Sequence, residues 1–137
     1  QIVTAVELPS SRAGAILMEY CPKGHLLDAL NSRGGRRMGE EAVLSIMGDV
    51  VSAVKYLHDK GITHRDIKLE NILRSASGPH KLCDFGSCVQ GRVPLETAEQ
   101  RANEEEVVEK TTTQMYRAPE MVDLYMDREL TEKVDVW

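Results

Sequence analysis

The chain has 137 residues, of which 28% are charged and 42% hydrophobic, and its formal net charge is −5. This length suits one domain, and the composition is that of a globular protein rather than a disordered one. The negative charge argues against nucleic acid or an anionic membrane surface as a partner, and no apolar run is long enough for a transmembrane segment.

Three cysteines occur, at Cys21, Cys83 and Cys88, and they form no CxxC pair. An odd number of thiols cannot all pair within one chain, so we expect free thiols in a reducing compartment, with the cytoplasm as the default location. No signal-peptide pattern opens the sequence. Cys83 is interpreted as an inert buried residue rather than a reactive thiol.

Two segments near the start of the chain predict β-strands. Residues 2–8 are rich in β-branched side chains, and residues 15–20 form an apolar run between Gly14 and Pro22. Short apolar runs bounded by turn residues are typical of strands, and the second strand is predicted to be buried. By itself this second segment indicates no more than a core strand and a turn.

Helices are predicted over residues 25–31 and 40–60. The apolar positions of the longer segment step by three and four residues, which makes one stripe of an α-helix: Val43, Met47, Val50, Val54 and Leu57. His58 on this helix is interpreted as a packed or surface histidine rather than a ligand. Residues 134–137 predict the first turns of a buried helix without a stop signal, so the sequence is expected to be a piece of a domain.

The most informative stretch is residues 64–71, HRDIKLEN, between the long helix and the apolar residues 72–73. A loop held between two regular elements can direct Asp66, Lys68 and Asn71 toward one point, which suits phosphoryl transfer because that chemistry needs position and charge. A single loop Asp or Asn is usually a turn or cap residue. Five residues of fixed type at fixed spacing would occur by chance roughly once in tens of thousands of chains of this length, if each position is one choice in twenty.

Residues 64–71 resemble the catalytic loop of eukaryotic protein kinases, H-R-D-x-x-x-x-N, and residues 84–86 resemble the metal-binding D-F-G. The resemblance implies an α+β, protein-kinase-like fold that is truncated. It would comprise the last small-lobe strands (residues 1–20), the hinge (21–24) and the first, mainly helical half of the large lobe (25–137). The activation segment would be residues 84–120, which end in the A-P-E motif.

The resemblance implies a serine/threonine kinase that transfers the γ-phosphoryl group of ATP to a protein hydroxyl. Asp66 would be the catalytic base, and Lys68 would neutralise charge on the transferred group. Asn71 and Asp84 would provide oxygen ligands for Mg²⁺. A lysine at position 68 goes with serine/threonine rather than tyrosine specificity in this family.

On the same alignment, four residues would contact the adenine of ATP. Met18 would be the gatekeeper, and the backbone of Glu19 and Cys21 would meet the adenine edge, since main-chain N–H and C=O groups suit a planar heterocycle. Leu73 would form the apolar floor beneath the ring.

The resemblance also implies roles for Arg65 and for three threonines of the activation segment. Arg65 would form a cationic pocket for a phosphorylated segment, with Thr111 and Thr112 as candidate phosphosites, although an ordinary Thr-rich turn is an equally good interpretation. Thr113 would contact the catalytic Asp and Lys. Residues 96–110 are strongly acidic, and we interpret them as a solvated, mobile face.

The residues DFGS (84–87), TTT (111–113) and YRAPEMVDLY (116–125) resemble the numb-associated kinases, which include the adaptor-associated and cyclin-G-associated kinases. This closer resemblance implies a protein substrate among the clathrin-adaptor subunits. It also implies an extra helix near residues 121–126.

The family's Gly-rich loop, its strand lysine and the glutamate partner of that lysine have no counterpart in these 137 residues. The fragment alone is therefore expected to be inactive and only marginally stable. One alternative is a non-catalytic kinase-like interaction module. A generic nucleotide-binding α/β protein is a third hypothesis, and the absence of a Walker-type loop argues against it.

Overall fold

The structure of the protein is a computed structural model, and it describes residues 2–7, 14–76 and 78–137. The α-helices among these residues are α1 (Leu26–Asn31), α2 (Glu40–His58), α3 (Ala98–Thr111) and α4 (Pro119–Val122). The described β-strands pair as antiparallel ribbons: β1 (Ile2–Glu7) with β2 (Gly14–Met18), β3 (Ile62–Thr63) with β6 (Val89–Gln90), β4 (Ile72–Arg74) with β5 (His80–Leu82), and β7 (Val93–Pro94) with β8 (Glu129–Leu130). The architecture is the α+β mixture that the sequence predicts.

The β1–β2 ribbon differs from expectation in its burial. Strand β2 ends at Met18, and residue 8 of the other predicted strand lies outside the described residues. The prediction that residues 15–20 are buried is wrong where side chains are described, since Ile16, Leu17 and Met18 are each more than half exposed. A two-stranded ribbon buries a face only against another element, and the described residues leave this face open.

Helix α2 begins at the predicted Glu40 and ends at His58, before the predicted Lys60. Its end is set by Gly61, whose φ of +68° is the left-handed conformation that glycine adopts without strain. The Gly61 N–H donates to the His58 carbonyl at 2.9 Å, which satisfies one of the free acceptors of the last turn.

The buried face of α2 is only partly the predicted stripe. Leu57 is buried, whereas Val43 and Met47 at the start of the stripe are exposed. Ile46, outside the stripe, is buried instead, because it meets Leu26 of α1 and Ile72 of β4 in one core. Partly buried residues complete this core: Ala29, Met38, Val50 and Leu69.

A second core joins α3 and α4 to the last strands of the chain. Its members are all buried: Leu95, Val108, Ala118, Met121, Leu124, Leu130 and Val134. The interpretation of residues 96–110 as a mobile charged face is therefore wrong in part, because α3 is a regular helix that is tied to this core by Val108. Thr97 and Gln100 form a reciprocal capping box at its start, with the Gln100 N–H donating to the Thr97 hydroxyl at 3.1 Å.

Two short ribbons hold the catalytic-loop motif. Strands β3 and β6 pair directly before residues 64–71, and β4 and β5 pair directly after them. The Cys83 N–H, just beyond β5, donates to the Asn71 carbonyl at 2.9 Å. The chain therefore brings residues 84–86 beside the loop, as the motif spacing requires.

Two other expectations differ at the end of the chain. The extra helix expected near residues 121–126 is the four-residue α4, which ends at Val122, and a turn follows in which the Met126 N–H donates to the Asp123 carbonyl at 3.1 Å. The helix predicted at residues 134–137 is a 3-10 turn, Glu132–Asp135, with Val136 and Trp137 exposed.

Across the described residues, none of the helices combines the length and apolar character that crossing a membrane requires.

Candidate active site

The backbone on each side of the site adopts an unusual conformation. Arg65 and Asp84 have φ values of +72° and +62°, in the left-handed region that disfavours residues with a Cβ. Each such residue costs about 1–3 kcal/mol and persists only where the surroundings hold it. These two positions lie within the two motifs that the sequence singles out, at residues 64–71 and 84–86.

Asp135 holds the backbone of the catalytic loop. Its side chain is completely buried, and its carboxylate accepts from the N–H groups of His64 at 2.8 Å and Arg65 at 2.7 Å. The Nε2 of His58 lies 2.8 Å from the same carboxylate. The sequence analysis predicted no role in the site for His58 or Asp135. The feature of the sequence that could have indicated Asp135 is a charged residue between two apolar ones, Val134 and Val136.

Asp66 is buried and surrounded by donors. Its carboxylate accepts from the Thr113 N–H at 2.9 Å, the Asn71 amide at 3.1 Å and the Lys68 ammonium at 2.7 Å. Burial by itself would raise the pKa of Asp66, but the hydrogen bonds from Lys68 and Thr113 and the Lys68 charge outweigh it, so the pKa lies below its usual value. Asp66 is therefore ionised at neutral pH.

Lys68 connects the loop to the activation segment. Its ammonium donates to the Thr113 hydroxyl at 2.7 Å as well as contacting Asp66. The hydrogen bond with Asp66 raises the pKa of Lys68 against the effect of burial, and the charges of Asp66, Glu70 and Asp84 raise it further. Lys68 is thus within electrostatic reach of both Asp66 and Asp84.

Asn71 and Asp84 carry oxygen atoms of the hard type that Mg²⁺ prefers. The Asn71 amide nitrogen donates to the Asp66 carbonyl at 2.8 Å, which leaves its amide oxygen as the potential ligand. The Asp84 carboxylate is exposed, and one of its oxygens accepts from the Gly86 N–H at 3.2 Å. No group of three or more His, Cys, Asp or Glu residues in the described chain forms a metal site by itself. Mg²⁺ needs no such cage, because it keeps water and phosphate ligands.

The predicted adenine residues lie around one edge of the β4–β5 ribbon. Leu73 is half-buried opposite Lys81, whose ammonium pairs with the Glu19 carboxylate at 2.6 Å. Cys21 follows at a turn in which its carbonyl accepts from the Gly24 N–H at 3.2 Å. Met18 ends β2 directly before Glu19, whose pair with Lys81 places this part of the chain beside the β4–β5 ribbon.

Cys83 and Cys88 are half-buried thiols. Burial, followed by the negative charge of Asp135 and of Asp84, raises the pKa of Cys88 to about 11. Burial likewise raises the pKa of Cys83, with further contributions from Asp84 and Cys21. Such thiols are protonated at neutral pH and are poor nucleophiles, in agreement with the inert interpretation of Cys83.

The threonines before Thr113 differ in accessibility. Thr112 is buried, and its hydroxyl donates to the Val108 carbonyl at 2.7 Å and accepts from Arg117 at 2.9 Å. Thr111 is exposed at the last position of α3. These hydrogen bonds favour the interpretation of Thr112 as part of an ordinary Thr-rich turn over its interpretation as a phosphosite.

Arg65 also differs from the expected open cationic pocket. Its side chain is 1% exposed, and its guanidinium pairs with the Glu104 carboxylate on α3. The sequence offered no signal that singled out Glu104 within the acidic run of residues 104–106.

A comparison with known families matches residues 1–137 to the protein kinase domain. Similar curated proteins include a probable serine/threonine-protein kinase of Dictyostelium discoideum, 39% identical over 127 residues, and a protein kinase domain-containing protein of Schizosaccharomyces pombe, 41% identical over 124 residues. Actin-regulating kinase 1 of Saccharomyces cerevisiae is 42% identical over 125 residues.

Each of these alignments covers 89% of the chain but only 11%, 19% and 19%, respectively, of the relative. The chain therefore spans less than a fifth of the length of these proteins. The match agrees with the partial, mixed helix and strand architecture and with the motifs at residues 64–71 and 84–86. On this basis, the chain belongs to the protein kinase domain family.

Proposed function

We propose that this chain is the catalytic-loop and activation-segment part of a serine/threonine kinase that transfers the γ-phosphoryl group of ATP to a Ser or Thr hydroxyl of a protein substrate. One observation carries the proposal: the buried Asp66 carboxylate, the Lys68 ammonium and Thr113 form one hydrogen-bonded group within reach of Asp84. Phosphoryl transfer depends on positioned charge of this kind.

The geometry supports a distinct role for each group. Asp66, ionised by its donors, orients the substrate hydroxyl and accepts its proton. Lys68 offsets the negative charge on the transferred group, while Thr113 holds both side chains at the point where substrate would lie. The buried position of Asp66 limits competition from water for these contacts.

The cofactor assignment follows from the same arrangement. Asn71 and Asp84 would hold Mg²⁺, which supplies positive charge beside the phosphates when bound. Met18, Glu19, Cys21 and Leu73 would bind the adenine of ATP. Protein kinases generally use ATP and magnesium, and the accessible carboxylate of Asp84 suits that use.

We further propose membership of the numb-associated kinases, a cytoplasmic location and clathrin-adaptor subunits as substrates. The support for the family and the substrate is the sequence of residues 84–87, 111–113 and 116–125, and the support for the location is that free cysteines suit a reducing compartment. Two similar yeast proteins bear the name actin-regulating kinase, which describes those proteins and not this chain.

The 137 residues alone should be inactive, because they contain no Gly-rich loop or strand lysine to bind the phosphates. The rival function is a non-catalytic interaction module with the same fold. Sequence upstream of Gln1 distinguishes them: a strand with a V-A-I-K-like motif supports the enzyme, and a start codon in its place supports the module.

The assigned base is tested by Asp66→Asn in the full-length protein, with phosphate transfer from ATP to a protein substrate as the measurement. General base catalysis contributes about 10²–10⁴-fold, so we expect a loss of that order in kcat. Asp59→Asn is the matched control, because Asp59 forms an exposed pair with Lys55 and should leave kcat unchanged. Undiminished activity in Asp66→Asn would refute the assignment.

A further inference from the structure

We propose that Glu104 is a positioning residue that takes the place of an activating phosphate. Its carboxylate binds Arg65 and so keeps the activation segment in its working position without phosphorylation of Thr111 or Thr112. This inference rests on the proposed kinase function. It assigns a role within the acidic segment, which the family match leaves open.

The first step is the contact itself. The side chains of Arg65 and Glu104 are 1% and 9% exposed, and the Arg65 Nη2 pairs with the Glu104 Oε1. The Nε and Nη1 of Arg65 are buried and have no hydrogen-bond partner within the described residues. A guanidinium taken out of water needs a counter-charge, and Glu104 supplies it.

The second step is that α3 directs Glu104 inward and its acidic neighbours outward. Glu104 and Val108 are four residues apart, so they share one helical face, and both are buried. Glu105, Glu106 and Glu109 are exposed. The pairing with Arg65 is therefore a property of one position and not of the acidic run as a whole.

The third step connects Glu104 to the chemistry. The helix that carries it leads directly into Thr113, which contacts both Asp66 and Lys68. Arg117 secures the end of the helix by donating to the carbonyls of Val108 at 3.2 Å and Thr112 at 3.1 Å. Glu104 anchors the same helix further upstream, on the residue that directly precedes Asp66.

The fourth step concerns phosphorylation. A phosphate on the activation segment would need an accessible hydroxyl and a free cation. The Thr112 hydroxyl is buried and bonded, whereas the Thr111 hydroxyl is exposed and donates to the Val107 carbonyl at 2.7 Å. The positive charge that a phosphate at either position would need is already offset, because the Arg65 guanidinium is paired with the Glu104 carboxylate. The arrangement that a phosphate would create is thus present in the unmodified chain.

The test uses the full-length protein, treated with phosphatase and verified as unphosphorylated by mass spectrometry. Wild type should keep its kcat after this treatment. Glu104→Gln should lower kcat by up to about 10²-fold, the cost of a small misplacement of the catalytic groups, and leave the KM for ATP unchanged. Glu105→Gln, which removes an exposed neighbouring charge, should behave as wild type.

Two measurements separate positioning from general damage. If Glu104 acts through Arg65, adding Glu104→Gln to Arg65→Gln should cause no further loss of kcat. Amide hydrogen exchange across residues 98–113 should become faster in Glu104→Gln and not in Glu105→Gln. Glu104→Asp keeps the charge and should recover part of the lost kcat, which also covers the case in which Glu104→Gln fails to fold.

The proposal is overturned if phosphatase treatment abolishes the activity of wild type, or if Glu104→Gln keeps both its kcat and its exchange rates. A wild type that transfers no phosphate in any state would refute the proposed kinase function. In that case the exchange comparison would still decide whether Glu104 positions the segment.

Discussion

At the scale of single residues, Asp66 and Lys68 determine how the site responds to pH. Burial would raise the pKa of Asp66, but its hydrogen bonds with Lys68 and Thr113 outweigh this effect and lower the pKa. The pKa of Lys68 is raised, chiefly by its hydrogen bond to Asp66. A lowered carboxyl pKa stabilises the fold above the unfolded value, about 3.9, and this contribution is lost as pH falls through the folded pKa. A raised lysine pKa stabilises the fold below the unfolded value, about 10.4, and this contribution is lost as pH rises through the folded pKa.

The pair should therefore contribute to stability throughout the neutral range. In the full-length protein, we expect Lys68→Met to lower the free energy of unfolding more at pH 7 than at pH 3. The contribution of the ionised Asp66 carboxylate decreases once the pH falls below the unfolded pKa of about 3.9 and is lost through the folded pKa. Denaturant titrations of the two proteins at both values measure this difference. An equal difference at pH 3 and pH 7 would contradict the assignment of an ion pair.

Other residue-scale contacts were beyond sequence analysis for a common reason. Asp135 binds the backbone of His64 and Arg65 from about 70 positions away, and Glu104 binds Arg65 across a separation of 39 positions. Neither spacing belongs to a local pattern. The motif at residues 64–71 could be found because its members are neighbours in the chain, and Asn71 reaches Asp66 across five positions.

At the scale of elements, α3 demonstrates how a charged segment becomes ordered. Its acidic residues are mostly exposed, as charge patterning predicts, yet its capping box and the buried Val108 make it a regular helix. The sequence contains the box, with a Thr followed three residues later by a Gln, although the negative charges of the segment taken alone indicate a solvated face.

The contribution of the Thr97 N-cap to the free energy of unfolding can be measured. Thr97→Ala removes the hydroxyl that accepts from the Gln100 N–H, and we expect a loss of about 1 kcal/mol in the free energy of unfolding. Thr97→Ser keeps an accepting hydroxyl and is the matched control, with little change expected. Chemical denaturation of the full-length protein is the measurement, and equal stability of the Ala and Ser variants would show that the cap is unimportant.

At the scale of the whole molecule, burial is limited. The described residues form two small cores, while many large apolar side chains remain exposed, among them Met47, Val51, Tyr56 and Trp137. An apolar groove of about 800 Å³ lies between α2 and the last residues of the chain, lined in part by Val54 and Val136. Exposed apolar surface of this kind disfavours independent stability.

We therefore expect the isolated 137-residue chain to unfold without a sharp thermal transition, to bind the dye ANS and to lack kinase activity. Calorimetry, dye fluorescence and an ATP transfer assay, each compared with the full-length protein, measure these properties. A cooperative transition together with phosphate transfer by the isolated chain would contradict the expectation.

The sequence by itself determined the family, the α+β class, the positions of β1, β2, α1 and α2, and the candidate residues Asp66, Lys68, Asn71 and Asp84. These conclusions depend on residues that lie close together in the chain, where periodicity and motif spacing are informative. Only the tertiary structure decided which face of α2 is buried, which acid meets Arg65 and which aspartate holds the catalytic loop. Those outcomes depend on contacts between distant segments, and the same side chain is exposed or buried according to the element that packs against it.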